Sequence, residues 1–559
     1  MHSNSNTEDV PASVEKPLEA DADQPEKINT TVDLENIGAD KTEEKVEKPI
    51  GDEEDIVYPT GSKLALILFG NYIAIFLVAL DRTIIATAIP RITDQFHSLN
   101  DVGWYAGAYL ITAAGTQLIW GRIFTFYTTK YVFLTAIIIF EIGSAICGSA
   151  PNSVAFIIGR AIAGAGSAGV FSGTTLLVTQ VVPLGRRPIL IGLVGAIFAV
   201  ASVAGPLLGG AFTDSKATWR WCFYINLPLG AIILSVLILI LKPKPVSNPT
   251  TLRQKIGRLD PLGTLFFLPG IICLLLALQW GGTTYAWSSG RIIALFVLFG
   301  LLITTFICIQ IRQQENATIP PRIFAYRNVH CGMLYTLSVG GGMVSILYGL
   351  PIWFQAVRGV SAVHSGIDTL PMVMALVVGA TGAGALTTAT GWYNPFLFFC
   401  VVMMSVGSGL ISTFQVDTGH AAFIGYQVIF GLGLGTGAQQ ASIAAQAVLK
   451  QKDVATGISV MFFAQSLGGS IFVAVAQTLF DNDLLTKLSQ IANIDPQAVL
   501  SAGATGVRDI VSPGELPTVL FAYNEALRRS FYVTVAVSCL AIVPACGFQW
   551  VNVKGKKHA

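Results

Sequence analysis

The sequence predicts an all-α membrane protein with fourteen spanning helices, and three observations carry that prediction. Its 559 residues are 53% hydrophobic and only 12% charged, against about 25% charged in an average soluble domain. Apolar runs of about 20 residues, the length a helix needs to cross a bilayer, recur at about 64–88, 102–120, 132–150, 154–180, 189–213, 223–241, 261–279, 292–311, 329–354, 366–388, 396–414, 421–447, 457–480 and 529–549. These runs are too long for barrel strands and do not alternate apolar with polar residues.

Charge divides the chain. Residues 1–60 hold 17 Asp/Glu against 5 Lys, a net of −12, while the other 499 hold 29 Lys/Arg against 16 Asp/Glu, a net of +13. The acidic segment has too few apolar residues to offset its chain entropy, so it is read as disordered. It lacks the basic start and apolar centre of a signal peptide, and the run from Leu64 is expected to act as an uncleaved anchor. The expected organisation is a disordered acidic tail over 1–62, a six-helix bundle over 63–241, a linker over 242–260 and two extra helices over 261–311. A linker over 312–328, a second six-helix bundle over 329–550 with a long outer loop at 481–528, and a tail over 551–559 complete it.

Lys and Arg set the orientation. One set of loops and the C-terminus hold 17 of them, including Arg122, Lys130, Arg186, Arg187, Arg312, Arg322, Arg327, Lys450 and Lys452; the opposite set holds nine. Both termini are therefore expected in the cytoplasm. The sequons at Asn29 and Asn316 then fall on the side where glycosylation does not occur, so no glycosylation is expected.

Span 4 carries Gly164, Gly166 and Gly169, then Gln180, then Arg186 and Arg187. Span 12 carries Gly431, Gly433, Gly435 and Gly437, then Gln446, then Lys450 and Lys452. The offset of eight spans fits two repeated halves separated by two extra helices, an architecture that places a substrate site between the halves near the midplane. GAGSAG at 164–169 matches a dinucleotide fingerprint in letters only, because it lies in an apolar helix with no strand before it; close helix packing explains its glycines. In span 5, Gly205, Pro206, Gly209 and Gly210 combine small residues four apart with a proline that frees a backbone carbonyl. That pattern suits a helix pivot, or simply tight packing.

Charge inside hydrocarbon is costly, so Asp81, Arg82, Glu141 and Arg160 are the candidates for proton coupling. At roughly 1.5 Å per residue, Asp81, Arg160 and Glu141 lie about 10, 9 and 12 Å from the outer ends of their spans, and one buried network of the three is expected. A carboxylate beside an arginine stays ionised and changes its proton preference when the arginine leaves, whereas a static pair would only fix packing. Asn71, Gln117, Trp353, Phe354, Gln439 and Gln465 are the candidates for lining a substrate cavity. Eight cysteines without a CxxC pair and six scattered histidines argue against a metal site or disulfide framework. No GxxxxGK[ST] motif occurs, so uphill transport would draw on an ion gradient.

Together these residues resemble the fourteen-span drug:proton antiporters of the major facilitator superfamily, over 64–550. LDRTIIATAIP at 80–90 is similar to their span-1 signature, RAIAGAG at 160–166 to the span-4 motif whose arginine is linked to proton movement, and GPLLGG at 205–210 to the motif of exporters. WRWCFYINLP at 219–228 is a further mark of the group, and GRIFTFYTTK at 121–130 resembles fungal members that export toxins and secondary metabolites. The loop departs from the superfamily pattern: Thr125 stands where an acid is usual and Thr128 where a glycine is usual, which puts the usual cytoplasmic latch in question.

The resemblance implies the major facilitator fold and a proton-coupled exporter of lipophilic small molecules by alternating access. Expected partners are the lipid bilayer, the lipophilic substrate and protons; no cofactor, nucleic acid or second subunit is expected. The plasma membrane is expected over the vacuole. A vacuolar carrier of basic amino acids ranks lower, because a cationic substrate would want more buried carboxylates than Asp81 and Glu141. A transporter-fold sensor usually carries a long cytoplasmic extension. An enzyme is not expected, since no Ser/His/Asp set or metal cluster assembles.

Overall fold

The computed structural model describes residues 58–554 except 99–100, 217, 242, 244–256, 258, 283 and 493. The acidic segment, most of the 242–260 linker, Lys556 and Lys557 lie outside them. In a bilayer each backbone polar group must be satisfied within the protein, which leaves helices as the structural unit here.

The first bundle is α1 (Gly61–Phe96), α2 (Val102–Phe126), α3 (Thr129–Ser149), α4 (Ser153–Val181), α5 (Arg187–Asp214) and α6 (Asn226–Ile240). The inserted hairpin is α7 (Pro261–Trp280) and α8 (Gly290–Gln313). The second bundle is α9 (Arg327–Ile352), α10 (Leu370–Thr390), α11 (Asn394–Ile411), α12 (His420–Gly437, resumed as Gln440–Val448), α13 (Val454–Leu488) and α14 (Leu516–Leu540). Thirteen helical segments among the described residues are long and apolar enough to cross a membrane. The fourteenth helix, α2, is 25 residues long; Gly, Thr, Tyr and Gln dilute its apolar content because it faces protein on several sides.

Lipid tails are as apolar as leucine, so packing between helices depends on close backbone approach at small residues. In α4, a Cβ on Gly164 would strike Tyr109 and Thr112 of α2, one on Gly166 would strike Phe140 of α3, and one on Gly169 would meet both neighbours. The second bundle repeats this arrangement. On α12, Gly431 and Gly435 abut the α10 backbone at Met372 and Leu376, and Gly433 and Gly437 abut α11 at Met403 and Cys400. The repeat read from the two glycine-rich spans is therefore also a repeat of packing role.

The halves meet along two seams, α5 against α10 and α2 against α13. At the first, Gly192 and Gly384 let the backbones touch, and the Ile189 amide donates to Thr388 at 3.2 Å. At the second, Gly121 faces Ser459, Thr125 and Thr456 hydroxyls lie 3.3 Å apart, and Ser172 and Ser459 hydroxyls lie 3.2 Å apart. Phe171 of α4 stacks edge-on with Phe462 of α13 at 5.1 Å.

Two boundaries differ from those expected. The outer loop is shorter than 481–528: α13 continues to Leu488 and α14 begins at Leu516. Both helices run past the apolar runs because their extensions still bury an apolar face, with Leu484, Leu488, Val519 and Tyr523 buried and Phe480 packed 5.2 Å from Tyr523; Asp483 and Arg529 pair beside them at 2.6 Å. Between them, Pro496–Ile510 is helical with a break at Gly503, and Arg508 donates to the Val357 carbonyl at 2.8 Å.

One fully buried carboxylate closes the inserted hairpin. Asp260 caps α7 by accepting from the Gly263 amide at 2.6 Å. Its second oxygen accepts from Gln310 of α8 at 2.6 Å and from the Thr318 amide and hydroxyl at 2.9 Å each. Asp260→Ala leaves those donors buried without a partner. We expect it to destabilise the protein by about 1–3 kcal/mol, read as a lower thermal midpoint of the purified full chain in detergent, with Asp260→Asn intermediate. An unchanged midpoint in the alanine variant would remove this assignment.

Candidate functional site

Asp81 and Arg160 meet inside the first bundle. Arg160 Nη1 lies 2.6 Å from Asp81 Oδ2, and the side chains are 1% and 0% exposed. The glycines of α4 set this up, since only a helix packed backbone to backbone against α2 brings the arginine within reach of α1. Arg160 Nε donates to the Tyr105 carbonyl at 2.9 Å, and its guanidinium lies 4.4 Å from the Tyr109 ring centre. Asn226 at the start of α6 donates to Asp81 Oδ1 at 3.5 Å and to Ser144 Oγ at 3.0 Å. A guanidinium bonded to a carboxylate through one nitrogen, with a second nitrogen on a carbonyl and the other carboxylate oxygen taking an amide, is a form in which charge survives burial.

The other two ionisable candidates sit apart from this pair. Glu141 is 9% exposed and both its oxygens lack a hydrogen-bond partner; it lies against Gly230 of α6, one turn along α3 from Ser144. The expected three-membered network is thus a pair extended by Asn226 and Ser144, with Glu141 unbonded beside it. Arg82 leaves α1 on another face and lies 5.8 Å from the Phe198 ring of α5.

The span-5 motif packs α5 on α1. A Cβ at Gly205 would strike Thr83, and one at Gly209 would strike Thr87 and the Ile84 carbonyl. Thr83 Oγ1 donates across to the Ala201 carbonyl at 3.3 Å. Gly210 meets nothing within 4 Å, so it has no part in this contact. Pro206 sits inside α5 without ending it.

The candidate cavity residues scatter. Asn71 donates to the Thr174 carbonyl of α4 at 3.2 Å and Gln117 to Ser172 Oγ at 2.5 Å; both are buried bridges between helices. Trp353 and Phe354 are 0% exposed. Trp353 donates to Asn524 of α14 at 2.8 Å and packs 4.6 Å from Phe414, so the pair occupies the packed end of the second bundle where α9 gives way to Ala362–Asp368, and not a cavity wall. Gln439 and Gln465 are half-buried, Gln439 across from Gly195 of α5. Sequence reasoning missed Phe171, Phe198 and Phe462, which meet between the halves; an aromatic in an apolar helix carries no signal that separates an interface from a core.

Where the usual acid is replaced by Thr125, ion pairing is found elsewhere at the same end. Arg322 binds Asp453 with two nitrogens, at 2.6 and 2.8 Å, and Glu315 with a third at 2.5 Å. The hydrogen bonds it donates to those carboxylates, Asp453 first and then Glu315, hold the Arg322 guanidinium above its ordinary range, so it stays charged. Arg122 of α2 donates to the Glu315 carbonyl at 2.8 Å. The first bundle, the end of α8 and the start of α13 are thereby joined.

The chain belongs to the Major Facilitator Superfamily, whose match covers residues 72–473. It is 57% identical over 500 residues to the rubrofusarin-specific efflux pump aurT of Gibberella zeae, a match covering 89% of this chain and 92% of that one. It is 48% identical over 499 residues to the efflux pump aflT of Aspergillus parasiticus, covering 89% and 97%. The proton:xylose symporter XylE shares the fold at a TM-score of 0.56 and 14% identity, over 86% of this chain and 95% of that one. The human organic anion transporter MFSD10 does so at 0.53 and 12%, over 85% and 100%.

Two outcomes follow from this geometry. Gly205→Ala forces α5 off α1 and is expected to cost about 1–3 kcal/mol, whereas Gly210→Ala is expected to be neutral or to stabilise by up to ~1 kcal/mol; thermal unfolding of the two variants decides, and equal effects would refute the packing role. Asp453→Asn or Arg322→Gln loosens the joined end. For a partly exposed pair worth ~0.5–1 kcal/mol, maleimide labelling of a Thr456→Cys reporter should rise about two- to fivefold. Unchanged labelling would show that the pair does not hold that end closed.

Proposed function

We propose that this protein is a proton-coupled exporter of lipophilic small molecules of the fourteen-span drug:proton antiporter type. In this reading it works as a monomer in the plasma membrane with both termini in the cytoplasm. The observation that carries the reading is the fully buried Asp81–Arg160 pair, held by Tyr105 and Asn226 in a half that packs on its partner along glycine-lined seams. The names of its relatives as efflux pumps support the direction of transport.

The proposed cycle is short. With the ends at Thr125 and Thr456 together, the cytoplasmic side is shut. A proton arriving at Asp81 removes the charge that holds Arg160, and the guanidinium falls back on the Tyr105 carbonyl and the Tyr109 ring. That frees α1 from α4 and lets α1 shift against α5 at Gly205, Pro206 and Gly209, so that the first half can re-seat on the second. Proton loss re-forms the pair and resets the half. Arg82, beside Phe198, sits where it can sense which way the central space opens, and Glu141 is the second acid that protons could reach. Rubrofusarin, the substrate in one relative's name, is the first compound to test.

Asp81→Asn keeps shape and removes titration. In reconstituted vesicles with an imposed proton gradient, export of rubrofusarin should drop to the rate seen without a gradient, while substrate binding persists. Arg160→Lys keeps the charge and loses the planar fork, and about tenfold slower export is expected, since one such bond to a charged group is worth roughly 1.5–3 kcal/mol. Gradient dependence like the wild type's in Asp81→Asn would sink the coupling role of Asp81.

A further inference from the structure

A cavity of about 450 Å³ lies between the inserted hairpin and the second bundle and reaches α2 at Leu118. Its size falls in the range of roughly 300–1,000 Å³ that holds small ligands. α7 and α8 wall it on one side, α9 and α13 on the other, and Leu118 of α2 closes its inner end. Five phenylalanines face it: Phe267, Phe299, Phe306, Phe324 and Phe463. Gln310 is its only polar side chain, and that amide is already used, donating to Asp260 and accepting from the Ile319 amide.

Its two ends matter. α8 packs extensively on α7 and on no other spanning helix, so the outer side of the cavity faces the bilayer between α8 and α9, where Ile307 and Ile311 are exposed. From Phe299 to Ile311 the cavity runs about 18 Å along α8 at roughly 1.5 Å per residue, a little over half of a hydrocarbon core ~30 Å thick. At the inner end, Leu118 adjoins Gln117, which bonds Ser172, whose hydroxyl lies 3.2 Å from Ser459. The cavity therefore spans from the bilayer side to both helices of the α2–α13 seam, touching Leu118 on one and Phe463, Ala464 and Leu467 on the other.

We infer that this cavity is an entry site for the exporter: it takes a neutral, planar aromatic lipophile from the cytoplasmic leaflet and holds it at the α2–α13 seam. Its transport role rests on the export reading above; the binding itself does not. A charged ligand would find neither counter-charge nor free hydrogen-bond partner and would be rejected. An aromatic ligand gains what an aliphatic one does not. The Phe267 ring lies 4.9 Å from Phe306 and 5.5 Å from Phe463, and rings offered at those spacings favour edge-on and offset contact with another ring.

The test uses the purified full chain in phosphatidylcholine nanodiscs and radiolabelled pyrene as probe. Ile303→Trp on α8 and Leu467→Trp on α13 fill the cavity from opposite walls, so a folding defect in one leaves the other to decide. Each is expected to weaken saturable pyrene binding about tenfold or more, while Asp81→Asn binds pyrene like the wild type. Wild-type affinity in both filled variants would overturn the site. Displacement of pyrene by hexadecane as strongly as by unlabelled pyrene would overturn the aromatic preference and make this an acyl-chain pocket. In exporting vesicles the filled variants should raise KM at unaltered kcat; an unaltered KM would overturn the entry role. Should the wild type export nothing while pyrene binding behaves as described, the export reading falls and the site stands.

Discussion

Close backbone contact at glycine is the constraint on which the rest depends. In water, an arginine and an aspartate on neighbouring helices find each other along flexible side chains. In hydrocarbon, each must be delivered already paired, because an unpaired charge there costs several kcal/mol. Gly164 and Gly166 let α4 sit against α2 and α3 with no side chain between them. Arg160, one turn before, is thereby carried to Asp81 on α1 at 2.6 Å, and the Tyr105 carbonyl of α2 is close enough to take a second nitrogen, Nε. A methyl group at Gly164 would move the guanidinium by an amount comparable to the slack in those bonds. The packing and the electrostatics are therefore one feature described twice.

The same dependence explains how the chain manages without the usual acid in its span 2–3 loop. Thr125 still approaches Thr456, but a hydroxyl pair is a weak tie. The ionic part is found where Arg322 grips Asp453 with a two-nitrogen fork, a geometry a lysine cannot supply. Arg122 ties the first bundle to the same place through the Glu315 carbonyl. Because Glu315 lies at the end of α8, the inserted hairpin is part of this tie.

What the sequence made legible follows from physics of different strength. Spanning helices were readable because a bilayer demands length and apolarity at once, and α2 was readable despite its Gly, Thr and Tyr because its position between two turns leaves room for nothing else. Asp81 and Arg160 were readable because charge in such a helix needs a reason. Asn226 and Asp260 were not: a polar residue at a helix start has many bland uses, and only the fold shows that one reaches Asp81 and the other Gln310. Trp353 pointed the wrong way, since an indole that caps Asn524 in a packed core and one that lines a cavity leave the same letter in the same apolar run. The ends of α13 and α14 lie beyond the apolar runs because hydropathy averages over all faces, and Asp481, Asp483, Arg528 and Arg529 mask the one apolar face on which Leu484, Leu488, Val519 and Tyr523 stay buried.

The inserted hairpin also breaks the symmetry of the two seams. α5 and α10 meet without the hairpin over them, joined by backbone contact at Gly192 and Gly384 and by the bond from the Ile189 amide to Thr388. The α2–α13 seam is covered. Gln279 of α7 donates to the Gly103 carbonyl of α2 at 2.6 Å, while Phe267 of the same helix lies against Phe463 of α13. When the halves tilt, α7 can follow one of them and must slide on the other. A hydrogen bond to a backbone carbonyl is directional and is lost within about an ångström of travel, whereas contact between phenyl rings varies slowly with position. Sliding is therefore cheaper along α13 than along α2. Beyond α8, Glu315 takes Arg122 of α2 on its carbonyl and Arg322 on its carboxylate, and Arg322 pairs in turn with Asp453 at the start of α13.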